Sequence, residues 1–386
     1  EKAMAAFPAS KAIFLNADGS ALRKGAVLKQ EDLAKSYRAI AREGIGWFYG
    51  GGFAIAAGKW MKENEGVLTA EDFRDYRLAV REPLRISYRG CEVVGFPPPS
   101  SGGVHVAEIL NILATREAGT FQNGSLEDIH FTAEAMKLAF ADRAFWLGDP
   151  DFVKVPRGLS GVTYAKSLAA KIDLQKTTVV PEHGTPERAQ EDVFGKHTTH
   201  FSTADSEGYW VACTATVNTT FGSKVVVPGT GIVLNNQMDD FSIQPGVRNA
   251  FGLVGAEANA VGPRKRPLSS MAPTLVLRDG QPVLSVGAAG GPTIIPQVML
   301  AITGVLDGGM TLDKALAAPR IHHQWSPDVL KIEKSAGPQI IDGLRKRGHQ
   351  VEVVGEMGAC NGIMRLPDGS LMAAGDPRVP GAGGAE

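Results

Sequence analysis

At 386 residues the chain exceeds the roughly 250–300 at which single hydrophobic cores stop growing, so two domains or one large layered domain are expected. An apolar content of 44% and a charged content of 21% are those of a soluble globular protein, and a formal net charge of -1 without a long charge run argues against nucleic acid as a partner. No apolar run reaches the ~18 residues of a membrane helix, and Glu1-Lys2-Ala3-Met4 does not open a secretory signal peptide.

Residues 7–28 read as a strand, an Asp18-Gly19 turn and a loop. Leu33, Tyr37 and Ile40 recur at helical spacing, which predicts a helix over 30–43 stopped by Gly44. A second helix is expected over 53–63, followed by a capping-box start at Thr69-Ala70-Glu71-Asp72. Residues 84–96 alternate as two strands around Arg89-Gly90, and the segment PPPSSGG (97–103) forms a rigid connection into a helix over 104–113. That loop lacks a Walker lysine and the GxGxxG pattern, so packing rather than phosphate binding is its expected job. A long helix over 129–146, with Phe131, Met136, Leu138, Ala139 and Phe145 available for burial, reads as structural throughout. Another helical stretch lies near 164–172, and 175–196 is polar without apolar periodicity, the exposed context in which a backbone bond can be cut.

Beyond 198 the pattern changes to strands. Residues 209–217 and 224–234 read as adjacent strands, with Asp205–Gly208 as a hairpin turn; 274–277 and 283–286 flank the Asp279-Gly280 turn, and 365–373 repeat the theme around Asp368-Gly369. Helices are expected over 295–306, 312–317 and 339–347. Hairpins followed by helix pairs fit two sheets packed between helical layers. Cys91, Cys213 and Cys360 have no CxxC spacing, so neither a zinc site nor a disulfide framework is indicated, and Cys213 in its apolar pattern reads as core. His322 and His323, like His197 and His200, suggest a metal only weakly, because adjacent strand residues face opposite ways.

Polar residues gather at the end of the 224–234 run, where Asn235, Asn236, Gln237, Asp239 and Asp240 follow one another. Thr198-Thr199 opens the segment that leads to them. A threonine hydroxyl is a poor nucleophile unless a base sits beside it, and the α-amine of an N-terminal threonine is such a base. Taken alone, Thr198-Thr199-His200 also reads as an ordinary strand start. Yet TTHFS (198–202), TATVNTTFG (214–222), GIVLNNQMDDFS (231–242), GPRKRPLSSMAPT (262–274) and AAGGPT (288–293) stand in one order and spacing, joined by PPPSSGG and APRIHHQW (318–325). Over nearly its whole length the chain resembles the γ-glutamyltranspeptidase family.

The resemblance implies an α+β fold, the four-layer αββα sandwich of N-terminal-nucleophile hydrolases, here truncated at its N-terminal side. It implies a large-subunit-like portion, 1–197, intertwined with a small-subunit-like portion, 198–386, in one domain. Thr198 would attack the carbonyl of His197 to cut the chain, then attack a γ-glutamyl amide to form an acyl-enzyme. Thr216 matches the threonine that contacts the nucleophile, and Gly290 and Gly291 match the oxyanion hole, although AAGGPT departs from the SPGG of bacterial members. Asp240, with Asn218 and Gln237, would hold the substrate ammonium, and Ser269 and Ser270 its α-carboxylate. The family's carboxylate-binding arginine lies upstream of this chain. Residues 245–259 correspond to the lid, with Phe251 where bacterial members carry tyrosine. No cofactor or metal is implied; the partners are a γ-glutamyl substrate and an amino-acid, peptide or water acceptor, and the cleavage products would pair as a heterodimer outside the cytoplasm, periplasmic or extracellular. A cephalosporin or glutaryl acylase, or an impaired truncated homologue with a binding role, are the alternatives. With a layer absent, an uncovered apolar surface beside the pocket is expected.

Overall fold

The computed structural model describes residues 1–186, 200–379 and 383–384, which divide into two compact units. The smaller comprises Glu1–Ala79 and Thr216–Gln237, the larger Val80–Ala215 and Met238–Glu386.

The smaller unit is helical. Glu31–Glu43 and Gly52–Glu63 lie where the periodicity places them, the first ending at Gly44 with φ 72°, a left-handed value that glycine adopts without strain. The Thr69–Asp72 capping box forms in both directions, though the helix it opens is short, Ala70–Arg74. Phe53, Ala57 and Val227 make the buried centre, with Phe48 stacked on Phe53 at 4.2 Å and Phe73 edge-on at 5.5 Å.

Two expectations fail in this unit. Residues 8–14 are a helix rather than a strand: Pro8 occupies the first helical turn, where its missing N–H costs nothing, and the extended pairing that follows amounts to an isolated Leu15–Ala21 bridge. Residues 224–234 are not a strand beside 209–217 either. The run folds back at Pro228-Gly229 into a loop closed by the Val226–Val233 bridge. Helix side chains satisfy part of its backbone, since the Ser10 hydroxyl donates to Lys224 O at 2.6 Å and Ser36 to Thr230 O at 2.6 Å.

Among the described residues of the larger unit the strands are β1 (Leu84–Tyr88), β2 (Cys91–Gly95), β3 (His200–Ala204), β4 (Trp210–Thr214), β5 (Thr274–Arg278), β6 (Gln281–Ala289), β7 (Ile321–His323), β8 (Leu330–Glu333), β9 (Val351–Val354), β10 (Ala359–Arg365) and β11 (Leu371–Ala374). An antiparallel sheet runs β1-β2-β5-β6-β10-β11, β3 pairs with β4, and β7-β8-β9 form a small sheet. The anticipated hairpin turns are present: Arg89-Gly90 and Asp279-Gly280 take positive φ at both residues, which matches the twist of the flanking strands.

Strand β6 shows why layers form. Leu284, Val286 and Ala288 join the core with Ile294, Ile295 and Val298 of the Ile294–Leu306 helix. Ser285 and Gly287 face the β3–β4 ribbon instead: Ser285 Oγ bonds Ser202 Oγ at 2.8 Å, and the His200 ring fills the space where a Cβ of residue 287 would stand. Helices, six-stranded sheet and ribbon therefore stack in that order. The other face of the ribbon leaves Phe201 49% and Val211 46% exposed, an apolar sheet face that is uncovered among the described residues. Cys213 on the same face is half-buried rather than core, while Cys91 and Cys360 are buried, and all three are free thiols.

The helix Leu126–Trp146, capped by Ser125, is buried continuously from His130 to Ala144, and Phe145 alone of the five expected core residues is substantially exposed, at 43%. Its buried Lys137 reaches Glu134 at 3.0 Å and the Thr178 carbonyl at 3.1 Å.

Burial lowers the pKa of His200 and His322 to about 4 and of His349 to about 3. These rings are neutral in the folded state and bind a proton near pH 6.5 when unfolded, so their contribution is complete above that value and is lost as pH falls toward about 4. The melting temperature should therefore drop between pH 7.5 and pH 5, and His322→Gln should flatten the drop. A melting temperature that rises toward pH 5 would contradict this account.

Candidate active site

In the smaller unit, Thr216, Asn218 and Gln237 lie on two segments tied side by side. The Asn218 amide N–H donates to Thr216 Oγ1 at 2.8 Å, and Asn218 Nδ2 donates to Asn236 O at 3.0 Å. Asn236 Oδ1 accepts from Thr219 N and Oγ1 at 3.0 and 3.1 Å, and Gln237 N donates to Asn235 Oδ1 at 2.9 Å. Asn218 has φ 80°, and Phe221 and Lys224 are left-handed as well, so three non-glycine residues within one loop hold unusual backbone. Asparagine tolerates this state better than most residues, and such concentrations of strain are typical of functional loops.

In the larger unit lies Asp240, the last residue of the one-turn helix Gln237–Asp240, and it is buried. Its carbonyl accepts amide donors from Asn249 at 3.2 Å and Asn259 at 2.9 Å. Asn259 Oδ1 accepts from Leu268 N at 2.9 Å, so one side chain couples Asp240 to the segment carrying the serine pair. Asn249 Oδ1 also accepts from Phe251 N and Leu253 N, which fastens the 245–259 segment beside Asp240. Phe251 covers Gly291: a Cβ there would stand 3.4 Å from its ring.

Gly290 and Gly291 have φ 137° and 58°, conformations open to glycine and strained for other residues. Behind them Thr293 Oγ1 donates to Gly290 O at 2.9 Å, and Gln297 Nε2 donates to Ala289 O and Thr293 Oγ1, both at 3.0 Å. These bonds brace the backbone of the Gly290-Gly291 loop from behind.

Ser269 and Ser270 are 5% and 8% exposed, and the PPPSSGG segment packs on them. The Ser101 amide and hydroxyl both donate to Ser269 O, at 2.8 and 2.7 Å, Ser269 N donates to Pro99 O at 3.0 Å, and Ser100 Oγ donates to Met271 O at 2.6 Å. Gly102 and Gly103 belong to the first turn of the Gly102–Leu113 helix, where a Cβ would collide with the Met271 and Phe96 carbonyls. Arg143, 4% exposed, donates through Nε to Ser101 Oγ at 2.9 Å and through Nη2 to Ser270 Oγ at 3.2 Å. Burial lowers its pKa to about 10, and the charge of Asp240 acts against that fall.

Thr198, with His197 and Thr199, lies outside the described residues. His200 hydrogen-bonds Thr214 Oγ1 at 2.9 Å and Ser202 Oγ at 3.0 Å, and His322 and His323 turn to different partners, Gln324 and Asp328. Among the described residues no group of three or more His, Cys, Asp or Glu is placed to hold a metal.

Arg143, Ser101, Asn249 and Asn259 are the residues that sequence reading missed. A signal existed for Arg143, which stands beside Asp142 among the apolar residues 138–146 of a long helix, because a charge buried there must find a partner. None existed for the two asparagines, whose partners lie in loops.

The family model described as gamma-glutamyltranspeptidase matches residues 1–385. The chain is 46% identical over 370 residues to the glutathione hydrolase proenzyme of Escherichia coli K12, covering 96% of this chain and 63% of that one. It is 38% identical over 369 residues to the acylase ACY 1 proenzyme of Pseudomonas sp. SE83, covering 94% and 62%. Its structure is similar to that of a cephalosporin acylase from Bacillus halodurans, with TM-score 0.82 at 30% identity over 94% of this chain and 63% of that one. The chain thus spans less than two thirds of the length of these relatives.

Proposed function

The chain belongs to the γ-glutamyltranspeptidase family, with the α+β fold of N-terminal-nucleophile hydrolases, and on that premise we propose that it carries the catalytic core of a glutathione hydrolase and γ-glutamyltransferase. The substrates are glutathione and related γ-glutamyl amides, and water, an amino acid or a peptide accepts the acyl group. Thr198 is the nucleophile: its hydroxyl attacks the His197 carbonyl, cleavage frees its α-amine, and that amine then serves as base when the hydroxyl attacks the γ-amide. Portions 1–197 and 198–386 remain together as a heterodimer, which works in the periplasm or outside the cell. Thr216 orients the nucleophile, Gly290 and Gly291 donate backbone N–H groups to the oxyanion, and no metal or cofactor takes part.

One observation carries the glutamyl assignment. The larger unit holds a buried acid, Asp240, and two buried hydroxyls, Ser269 and Ser270, on segments that Asn259 ties together, and Arg143, bonded to Ser270, feels the charge of Asp240. An acid beside hydroxyl donors complements the ammonium and carboxylate of an α-amino acid. The relatives named as acylases support a second reading, acylase activity on glutaryl amides. A glutaryl group has no ammonium and leaves Asp240 without a role.

The two separate on purified protein, assayed both as this chain and as a longer form that restores the length of its relatives, with γ-glutamyl and glutaryl anilides. The γ-glutamyl anilide should be the better substrate, and Asp240→Asn should raise its KM about 10- to 100-fold, the worth of one charge-assisted hydrogen bond. The KM for glutaryl anilide should change little. Equal effects on both anilides would remove Asp240 from ammonium recognition.

A further inference from the structure

The least expected group near the serine pair is a guanidinium that touches no solvent to speak of. Arg143 lies on the Leu126–Trp146 helix, 42 residues from Ser101 and 127 from Ser270 in sequence, yet its planar fork bonds both hydroxyls at once. Those bonds decide how the protons point. Arginine can only donate, so the oxygens of Ser101 and Ser270 are acceptors toward it. Ser101 spends its own proton on Ser269 O at 2.7 Å. Among the described residues Ser270 Oγ meets no protein acceptor, and Ser269 Oγ likewise accepts, from Met271 N at 3.3 Å. Both members of the serine pair are thus left with a hydroxyl proton to give to a ligand, and Ser270 is polarised by a full positive charge behind it.

We propose that Arg143 is a positioning residue for the substrate α-carboxylate: through Ser101 and Ser270 it fixes the serine pair as hydrogen-bond donors and adds positive charge behind them. It does not touch the substrate itself. The inference deepens the γ-glutamyl reading and rests on it. Lysine cannot replace the function in full, because an ammonium lacks the rigid fork that spans two acceptors.

The test compares γ-glutamyl anilide with 4-aminobutyryl anilide, which keeps the amine and the scissile amide and lacks the α-carboxylate. Wild-type protein, Arg143→Gln, Arg143→Lys and Ser101→Ala are measured for kcat and for KM, or for competitive Ki where turnover is slow. Arg143→Gln should raise KM for γ-glutamyl anilide about tenfold or more and leave kcat within about threefold, while the constant for 4-aminobutyryl anilide moves less than about twofold. Arg143→Lys should fall between. Ser101→Ala, a small change in a packed site, should show the same selectivity at lower amplitude, and it decides the matter if Arg143→Gln does not fold. Equal changes with both compounds, or a loss confined to kcat, would overturn the role of Arg143 while leaving the γ-glutamyl reading intact. A wild-type protein that ignores γ-glutamyl anilide would overturn both.

Discussion

Thr198→Ala is expected to leave the chain as one uncut polypeptide and to abolish turnover of γ-glutamyl anilide. In the proposed mechanism the same hydroxyl cuts the chain and attacks the substrate, so its removal should stop both reactions at their first step. Loss of a covalent nucleophile costs about 10⁶-fold in kcat when the rest of the site is retained. Thr198→Ser keeps a hydroxyl and should cut slowly, with the two products recovered by intact-mass analysis as 1–197 and 198–386. The methyl group of threonine restricts its χ1 rotamers, and serine loses that restriction, which is why slower cleavage rather than none is expected. A Thr198→Ala protein that is cleaved at the same bond would end the self-processing account, since the hydroxyl would then be dispensable.

The second large effect should come from Gly290→Ala. At φ 137° the backbone is strained for any L side chain, and the added methyl would lie 2.5 Å from Thr293 Oγ1 and 3.0 Å from Gln297 Nε2, the atoms that brace the loop. Displacing those two side chains removes the braces of the loop, and the strain at this φ then favours a rotated peptide plane, which would turn away the N–H groups proposed to meet the oxyanion. A fall in kcat of about 10²- to 10³-fold with a much smaller change in KM is therefore expected, the signature of an interaction made mainly in the transition state. Circular dichroism and the melting temperature on the same sample separate this from unfolding. A folded Gly290→Ala protein with normal kcat would leave Gly290-Gly291 as a tight turn and nothing more.

Thr198 is singled out by motif order and chemistry, Gly290 by its backbone angles and its neighbours in the structure.

What the sequence determined by itself was local. The Arg89-Gly90 and Asp279-Gly280 turns, the Thr69–Asp72 capping box, the Gly44 helix stop and the helices over 31–43, 52–63, 294–306 and 338–346 depend on residues a few positions apart, whose energies are settled within one turn. The motif series also ordered the residues to which the family resemblance gives roles, Thr198, Thr216, Asn218, Gln237, Asp240, Ser269, Ser270, Gly290 and Gly291. Where local preference was evenly balanced, tertiary structure decided: residues 8–14 became a helix, and the apolar run 224–234 became a loop because Ser10 and Ser36, about 200 residues away, take up its carbonyls. The same holds for the site. PPPSSGG reads as a rigid connector, and only folding shows that it clamps Ser269 and Ser270, because burial leaves a polar atom no partner but those that chain packing brings to it. Arg143 reads as one charge on a structural helix, and its meaning lies in two hydroxyls that no spacing rule connects to it.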